Sequence, residues 1–104
     1  MIRERTHVAT HDLAGWNQAL DVLGESNRLA KERGWPTGTA WTLVSGPFNE
    51  IVVESDYADL AEYERVQREV NQDTAWITLM KPLADAMVME RSYNELLTKA
   101  ESIG

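Results

Sequence analysis

The sequence predicts an α+β fold in which one four-stranded antiparallel sheet is covered by helices on a single face. Two general observations predict it: β-capable segments alternate with amphipathic helical segments, and turn-rich stretches separate them. The third is the segment 50–63, which passes from a strand directly into a capped helix. There Ile51–Val53 are β-branched strand formers, and Asp59 with Glu62 has the spacing of a capping box.

The first two predicted elements are a strand over 2–9 and a long helix over 12–33. The strand alternates between two mixed sets, so both faces stay open as the one that looks inward. The sets are Ile2, Glu4, Thr6, Val8 and Arg3, Arg5, His7, Ala9. The helix has an apolar stripe interrupted only at Asn27, Thr10 as a potential cap, and Gly34 after its last turn.

The middle of the chain predicts a hairpin followed by a second helix. Residues 39–45 alternate as a strand, and the turn-forming residues up to 49 lead into an antiparallel strand over 50–57. The helix after it is predicted over 59–71.

The last third predicts a short helix and a fourth strand. Asp73 can cap the helix, which should end before Pro82 because proline lacks a donor and disfavours helical backbone at the preceding residue. Residues 86–93 alternate as the last strand, and the tail beyond them is either helical or frayed.

The resulting order, βαββα(α)β, is the split βαβ pattern of ferredoxin-like folds. An antiparallel sheet with helices on one face leaves its other face uncovered. We expect a second copy of the chain to close that face. The length of 104 residues fits a single domain spanning 1–104.

Composition excludes several classes of function. The net charge of −7 disfavours nucleic acid and anionic membranes as partners, since both require a basic face. Cysteine is absent, so disulfides and thiolate chemistry are excluded. The sequence has neither a signal-peptide core nor an apolar run of about 18 residues, which predicts a cytoplasmic protein. It also lacks a phosphate-binding glycine loop and a serine elbow, so we expect no nucleotide cofactor and no hydrolase triad.

Several short motifs, in a fixed order along nearly the whole chain, carry a resemblance to a known family. They are Glu4-Arg5, Gly34-Trp35-Pro36-Thr37-Gly38, Gly46-Pro47-Phe48-Asn49, Val53-Glu54 and Asp59-Leu60-Ala61-Glu62-Tyr63-Glu64. With these motifs the chain resembles the dimeric α+β barrel superfamily, and within it the NIPSNAP-type small domains.

The resemblance implies a homodimer whose sheets pack face to face, with room for a small molecule inside the barrel or between sheet and helices. Members of the superfamily include cofactor-free monooxygenases of the antibiotic-biosynthesis type, isomerases and haem-degrading proteins. NIPSNAP-type domains have no agreed catalytic motif, so the resemblance implies no catalytic residue for this chain.

His7 and Glu54 are the two candidate catalytic residues. His7 could act as an acid or base if its strand face lines a cavity, and the alternative is a hydrogen-bonded strand histidine. Glu54 lies in the middle of a strand, where a carboxylate must be paired, neutralised or functional. Its alternative is an outward position or an ion pair with Arg5 or Arg91. A metal site is not expected, because His7 and His11 do not share a face.

The expected ligand pocket combines two arginines with an aromatic and two methionine side chains from three predicted strands. Its candidate lining is Arg5, Trp41, Met87, Met89 and Arg91. On this hypothesis the protein binds or transforms a small apolar or aromatic molecule, as a monooxygenase or an isomerase would. The alternative is a non-catalytic homodimeric domain that serves assembly or binds a partner protein.

Overall fold

The structure, a computed structural model, describes residues 1–100 of the 104-residue chain. The elements run in the order β1 (Ile2–Ala9), α1 (Leu13–Arg33), β2 (Gly38–Thr42), β3 (Glu50–Tyr57), α2 (Leu60–Gln72), α3 (Thr74–Ala86) and β4 (Tyr93–Thr98). A 3-10 turn at Met89–Arg91 precedes β4. The predicted α+β, ferredoxin-like order is therefore confirmed.

The four strands form one antiparallel sheet in the order β2-β3-β1-β4. Val8 on β1, and Ile51 and Tyr57 on β3, pack against the helices. Because side chains alternate along a strand, the set containing Ile2, Glu4, Thr6 and Val8 lies on this helix-covered face. The opposite surface, called the open face below, carries Arg3, Arg5 and His7 from β1. The structure thus shows which face of β1 lies against the helices, a choice that the sequence left open.

The core between sheet and helices has two parts. One part joins α1 and α3 to the central strands and contains Val8, Ala19, Val22, Ile51 and Leu83. The other joins the end of α1 to α2 and contains Ala30, Trp35, Tyr57 and Val66. Leu13, predicted in the apolar stripe of α1, is 72% exposed and lies outside both parts.

The first helix is capped by Asp12, so the predicted cap at Thr10 is wrong. The amide of Gly15 donates to Oδ1 of Asp12 at 2.7 Å. Thr10 is fully buried, and its hydroxyl donates to the carbonyl of Asn49 at 2.9 Å. Gly34 ends α1 as predicted, with a left-handed φ of 74° that favours glycine.

The third helix continues through Pro82, so the predicted end before this proline is wrong. Pro82 removes one helical hydrogen bond, to the carbonyl of Thr78, and Thr78 is exposed enough for water to replace it. Beyond the proline, Leu83 and Ala86 are buried. Tertiary packing of this last turn outweighs the lost bond.

The fourth strand is Tyr93–Thr98, and the predicted strand over 86–93 is wrong. Because α3 extends to Ala86, the chain first makes a bridge from Met87 to Thr10 and then the 3-10 turn. Its regular ladder with β1 begins only after that turn, at Tyr93. The alternatives of a helical or frayed tail are wrong up to Thr98, while residues 101–104 lie outside the described part. The second strand ends at Thr42, three residues before its predicted end.

Candidate functional site

A cavity of about 270 Å³ lies between the helix-covered face of the sheet and the helices. Its volume is close to the lower end of the range for small-molecule sites. At about 30 Å³ per water molecule, it corresponds to roughly nine waters, which is the space of a ligand with one or two fused rings. Most of the wall is apolar and includes Val53, Val66, Val70, Met80 and Leu83.

Trp35 forms an aromatic part of the cavity wall in a fixed orientation. Its ring lies edge-on to Trp76, with centroids 5.7 Å apart and planes at 78°. Its indole Nε1–H donates to Oε1 of Glu69 at 3.0 Å. This bond is also the main reason why the pKa of Glu69 is lowered, with a second contribution from Arg65. A flat aromatic ligand would find a preformed, rigid surface here.

Polar groups meet at the β1–β4 side of the cavity in what we call the Glu4 cluster: Glu4, Thr6, Tyr57, Tyr63 and Asn94. The phenol of Tyr63 and the amide of Asn94 donate to Oε2 of Glu4 at 3.0 and 3.1 Å. The phenol of Tyr57 donates to Oε1 at 3.4 Å, and Thr6 donates to Oδ1 of Asn94 at 2.9 Å. Glu4, Thr6 and Tyr57 line the cavity.

The two tyrosines of the Glu4 cluster are held in their protonated form. Burial raises the pKa of both Tyr57 and Tyr63, and the negative charge of Glu4 raises both further. Their rings contact edge to face at 5.0 Å. Both phenols therefore donate to the Glu4 carboxylate at neutral pH, as the distances indicate.

The candidates Arg5, His7, Trp41 and Glu54 lie together on the open face, on the side of the sheet opposite the cavity. Arg5 Nε donates to Oε2 of Glu54 at 2.9 Å, one of the two ion pairs considered for Glu54. Nε2 of His7 lies 2.6 Å from Oε1 of Glu95.

The strand register aligns aromatic and apolar side chains across the whole open face. Trp41 lies opposite Val52, Val52 opposite His7, and His7 opposite Tyr93. The rings of His7 and Tyr93 stack with centroids 4.1 Å apart. Trp41 and Tyr93, at the two ends of this row, are 54% and 57% exposed. One protomer thus carries a row of aromatic and apolar side chains across the open face, with exposed rings at its two ends.

The remaining candidates do not form one wall with Trp41, because residues 86–93 are not a strand. Met87 lines the cavity on the helix-covered side. Met89 is exposed in the 3-10 turn. The guanidinium of Arg91 lies 4.0 Å from Oε1 of Glu50, so this arginine is not the partner of Glu54.

Sequence reasoning missed the Glu4 cluster as a site. A signal was present, since Glu4 and Thr6 share their strand face with Ile2 and Val8. A carboxylate among apolar neighbours requires hydrogen-bond donors. Those donors come from β3, α2 and β4, and no local pattern links these elements to β1.

The part of the chain that the structure describes contains neither a metal-ligand cluster nor a membrane-spanning helix. No group of three or more histidine, aspartate or glutamate side chains is arranged there to hold a metal ion. No helix among residues 1–100 is long and apolar enough to cross a membrane.

The fold and the site define an α+β protein of ferredoxin-like topology with a small cavity between sheet and helices. No protein-family model and no curated protein matches the sequence. Similar solved structures include a NIPSNAP domain protein from Burkholderia xenovorans, with a TM-score of 0.77 at 17% identity, covering 96% of this chain and 95% of that one.

Two oxygenase-type structures are also similar. A candidate antibiotic biosynthesis monooxygenase from Nitrosomonas europaea has a TM-score of 0.73 at 9% identity, with 96% and 99% of the two chains covered. SnoaB, a cofactor-independent oxygenase from Streptomyces nogalater, has a TM-score of 0.72 at 11% identity, with 95% and 92% covered. The resemblance to NIPSNAP domains and to dimeric α+β barrels is thus confirmed at the level of the fold.

Proposed function

We propose that this chain is a cytoplasmic homodimer that binds a small, largely aromatic molecule between its sheet and its helices. Any transformation of that molecule would proceed without a nucleotide cofactor. The cavity carries the proposal: one compartment of about 270 Å³ combines an apolar wall with a carboxylate at one side. Such a combination is typical of small-molecule sites, in which a few polar groups orient an apolar ligand.

The similar structures support chemistry without a nucleotide cofactor, but they do not specify a reaction. SnoaB is described as a cofactor-independent oxygenase, so a chain of this fold is able to carry out oxygenase chemistry without a cofactor. The NIPSNAP domain proteins of the same fold carry no stated activity. The substrate of this chain therefore has to be inferred from its own cavity.

The homodimer is supported by the open face. A twofold dimer places the same surface of each protomer against the other. The row from Trp41 to Tyr93 gives this surface apolar rings, and charged residues such as Arg5 and Glu54 are already paired within the protomer. In such a dimer His7 and Glu54 would lie in the barrel interior, and a second site there, with these two residues as acid or base, is part of the proposal.

The rival is a non-catalytic assembly or protein-interaction domain. The observation that favours it is the exposure of apolar side chains beyond the sheet, since Val44 and Phe48 in the β2–β3 loop are 99% and 81% exposed. Exposed aromatic groups on loops are common at contact surfaces. An assembly domain would not need the cavity.

Ligand binding separates the two functions. We would titrate the protein with 2-naphthol and with 2-methoxynaphthalene and measure binding by calorimetry and ligand-observed NMR. Val70 lines the cavity, so Val70→Phe should weaken binding of either probe by about tenfold or more, equivalent to about 1.4 kcal/mol.

The matched control is Val44→Phe, which adds the same atoms at an exposed position and should leave binding unchanged. If neither probe binds the wild-type protein, or if both variants bind equally well, the proposed ligand site is wrong. Circular dichroism on both variants confirms that each is folded before the affinities are compared.

A further inference from the structure

The Glu4 carboxylate lacks the compensation that other carboxylates of this protein receive. Glu54 is paired with Arg5, Asp56 with Arg3 and Asp73 with Arg33. In the described residues no lysine, arginine or histidine lies within ion-pair distance of Glu4. Among residues 1–100, the side chains that donate to it are all neutral, two phenols and one amide.

These donors are distributed unequally over the two oxygens. Oε2 accepts from Tyr63 and Asn94 at ordinary distances, and neither residue belongs to the cavity wall. Oε1 has only the phenol of Tyr57, at 3.4 Å, whereas typical O–H···O distances are about 2.7–2.8 Å. An ionised carboxylate accepts about four hydrogen bonds, so Oε1 retains capacity for a further donor.

We infer from the lining residues that this free capacity faces the cavity. Glu4 and Tyr57 both line it, and Oε1 is the oxygen that contacts Tyr57. A donor on a bound ligand would therefore reach Oε1 rather than the occupied Oε2. A short hydrogen bond from a ligand to Oε1 would also replace the long contact with Tyr57. The O–H of Tyr57 would then be free to rotate toward the ligand.

We propose that the Glu4 cluster recognises a neutral hydroxyl group on an aromatic or enolic ring. The ligand O–H donates to Oε1 of Glu4, and the same ligand oxygen accepts from the phenol of Tyr57. The ring body lies against the apolar wall that contains Trp35. This inference rests on the proposed function, because it specifies the class of ligand that the same cavity binds.

A hydroxyl fits this arrangement better than the two other simple polar groups. An ether accepts from Tyr57 but leaves Oε1 without a new donor. An ammonium group donates to Oε1 but cannot accept from Tyr57, and it would lose its hydration in a largely apolar cavity. Only a hydroxyl both donates and accepts at one atom.

The test compares three naphthalenes that differ in this one group: 2-naphthol, 2-methoxynaphthalene and 2-(aminomethyl)naphthalene at pH 7. A hydrogen bond to a charged group predicts that 2-naphthol binds about tenfold to a hundredfold more tightly than the ether. Glu4→Gln should bring this ratio close to one while leaving the affinity for the ether within about threefold.

Tyr57→Phe keeps the ring in the wall and removes only the hydroxyl, so it should lower the ratio even if Glu4→Gln fails to fold. The matched control is Glu64→Gln on the exposed side of α2, which should keep the wild-type ratio.

The outcomes distinguish this inference from the proposed function. If none of the three probes binds, the cavity is not a ligand site and both fail. If 2-naphthol and the ether bind equally well, or if the amine binds most tightly, the cavity is a ligand site and the hydroxyl inference is overturned. A ratio that persists in Glu4→Gln and in Tyr57→Phe also overturns it.

Discussion

The side chain of Asn27 and the backbone of Gly38 exchange two hydrogen bonds. Nδ2 of Asn27 donates to the carbonyl of Gly38 at 2.6 Å, and the amide of Gly38 donates to Oδ1 of Asn27 at 2.7 Å. Asn27 is the residue that interrupts the apolar stripe of α1, and its function is to fix the first residue of β2 to that helix. Both residues also line the cavity, so the pair positions its wall.

Gly38→Ala should destabilise the protein, by about 1–3 kcal/mol. A Cβ at this position would lie 2.9 Å from Cγ1 of Val53 and 3.0 Å from Oγ of Ser55 on the neighbouring strand. Urea unfolding, followed by tryptophan fluorescence, measures the change.

Gly24→Ala is the matched comparison, and its effect on the free energy of unfolding should have the opposite sign. Gly24 lies inside α1 with open space around it, so alanine should stabilise the helix by about 0.5–1 kcal/mol. Equal effects of the two substitutions would show that close packing at Gly38 does not limit the side chain there.

Asp73 should make the stability of the protein depend on acid pH. Hydrogen bonds from Arg33 at 2.7 Å and from the amide of Trp76 at 3.0 Å lower the pKa of its carboxyl group. A carboxyl whose pKa is lower in the folded state contributes stability above the unfolded pKa of about 4. That contribution is lost as the pH falls through the lower, folded value.

Asp73→Asn tests this dependence because asparagine is an equally good helix N-cap. The variant should be less stable than the wild type at pH 7, and the difference should shrink as the pH falls below about 4. Urea unfolding between pH 7 and pH 2 measures it. Asp73→Ala, which also removes the cap of α3, should be the less stable variant at every pH. If the stability difference between the wild type and Asp73→Asn is the same at all pH values, the proposed role of the ionised carboxylate is contradicted.

Trp41→Glu should convert the proposed dimer into a folded monomer. Trp41 ends the aromatic row on the open face, and burying a charge there without a partner is costly. Light scattering at micromolar concentration should give twice the monomer mass for the wild type and the monomer mass for the variant. A wild-type protein that is already a stable monomer would contradict the dimer itself.

Leu13→Glu is the control, because it places the same charge on an exposed residue outside the sheet. The Leu13→Glu variant should remain dimeric. Glu54→Gln on the open face adds a further comparison: an intact dimer is expected if Glu54 is a site residue. Loss of the dimer or of the fold would identify the Arg5–Glu54 pair as structural.

Much of the fold was predictable because its signals are local. The β-branched run Ile51–Val53, the Asp59 cap and Gly34 each specify the backbone around themselves, and β1, α1, β3 and α2 begin and end within about one residue of prediction. The exchange of the Thr10 cap for Asp12 shows the limit of this reasoning. Both residues are good caps, and the burial of Thr10 against Asn49 decides between them.

The site was less predictable because it depends on long-range contacts. Glu4 and Asn94 are 90 positions apart, and Glu4 and Tyr63 are 59 apart. The alternation of β1 placed Glu4 with Val8, but the choice of the inward face required the helices to be in place. His7 and Glu54 each belong to one alternating set of their own strand, and only the structure shows that both sets lie opposite the cavity.

The sequence by itself determined the order of the elements, the N-caps of α2 and α3 and the glycine that ends α1, since these follow from neighbouring residues. The tertiary structure decided the rest: that α3 passes through Pro82, that β4 pairs with β1 at Tyr93–Thr98, and that four polar residues gather around Glu4. The physical reason is that burial and strand pairing join residues far apart in the chain. The free energy of these long-range contacts outweighs local preferences, such as the tendency of proline to end a helix.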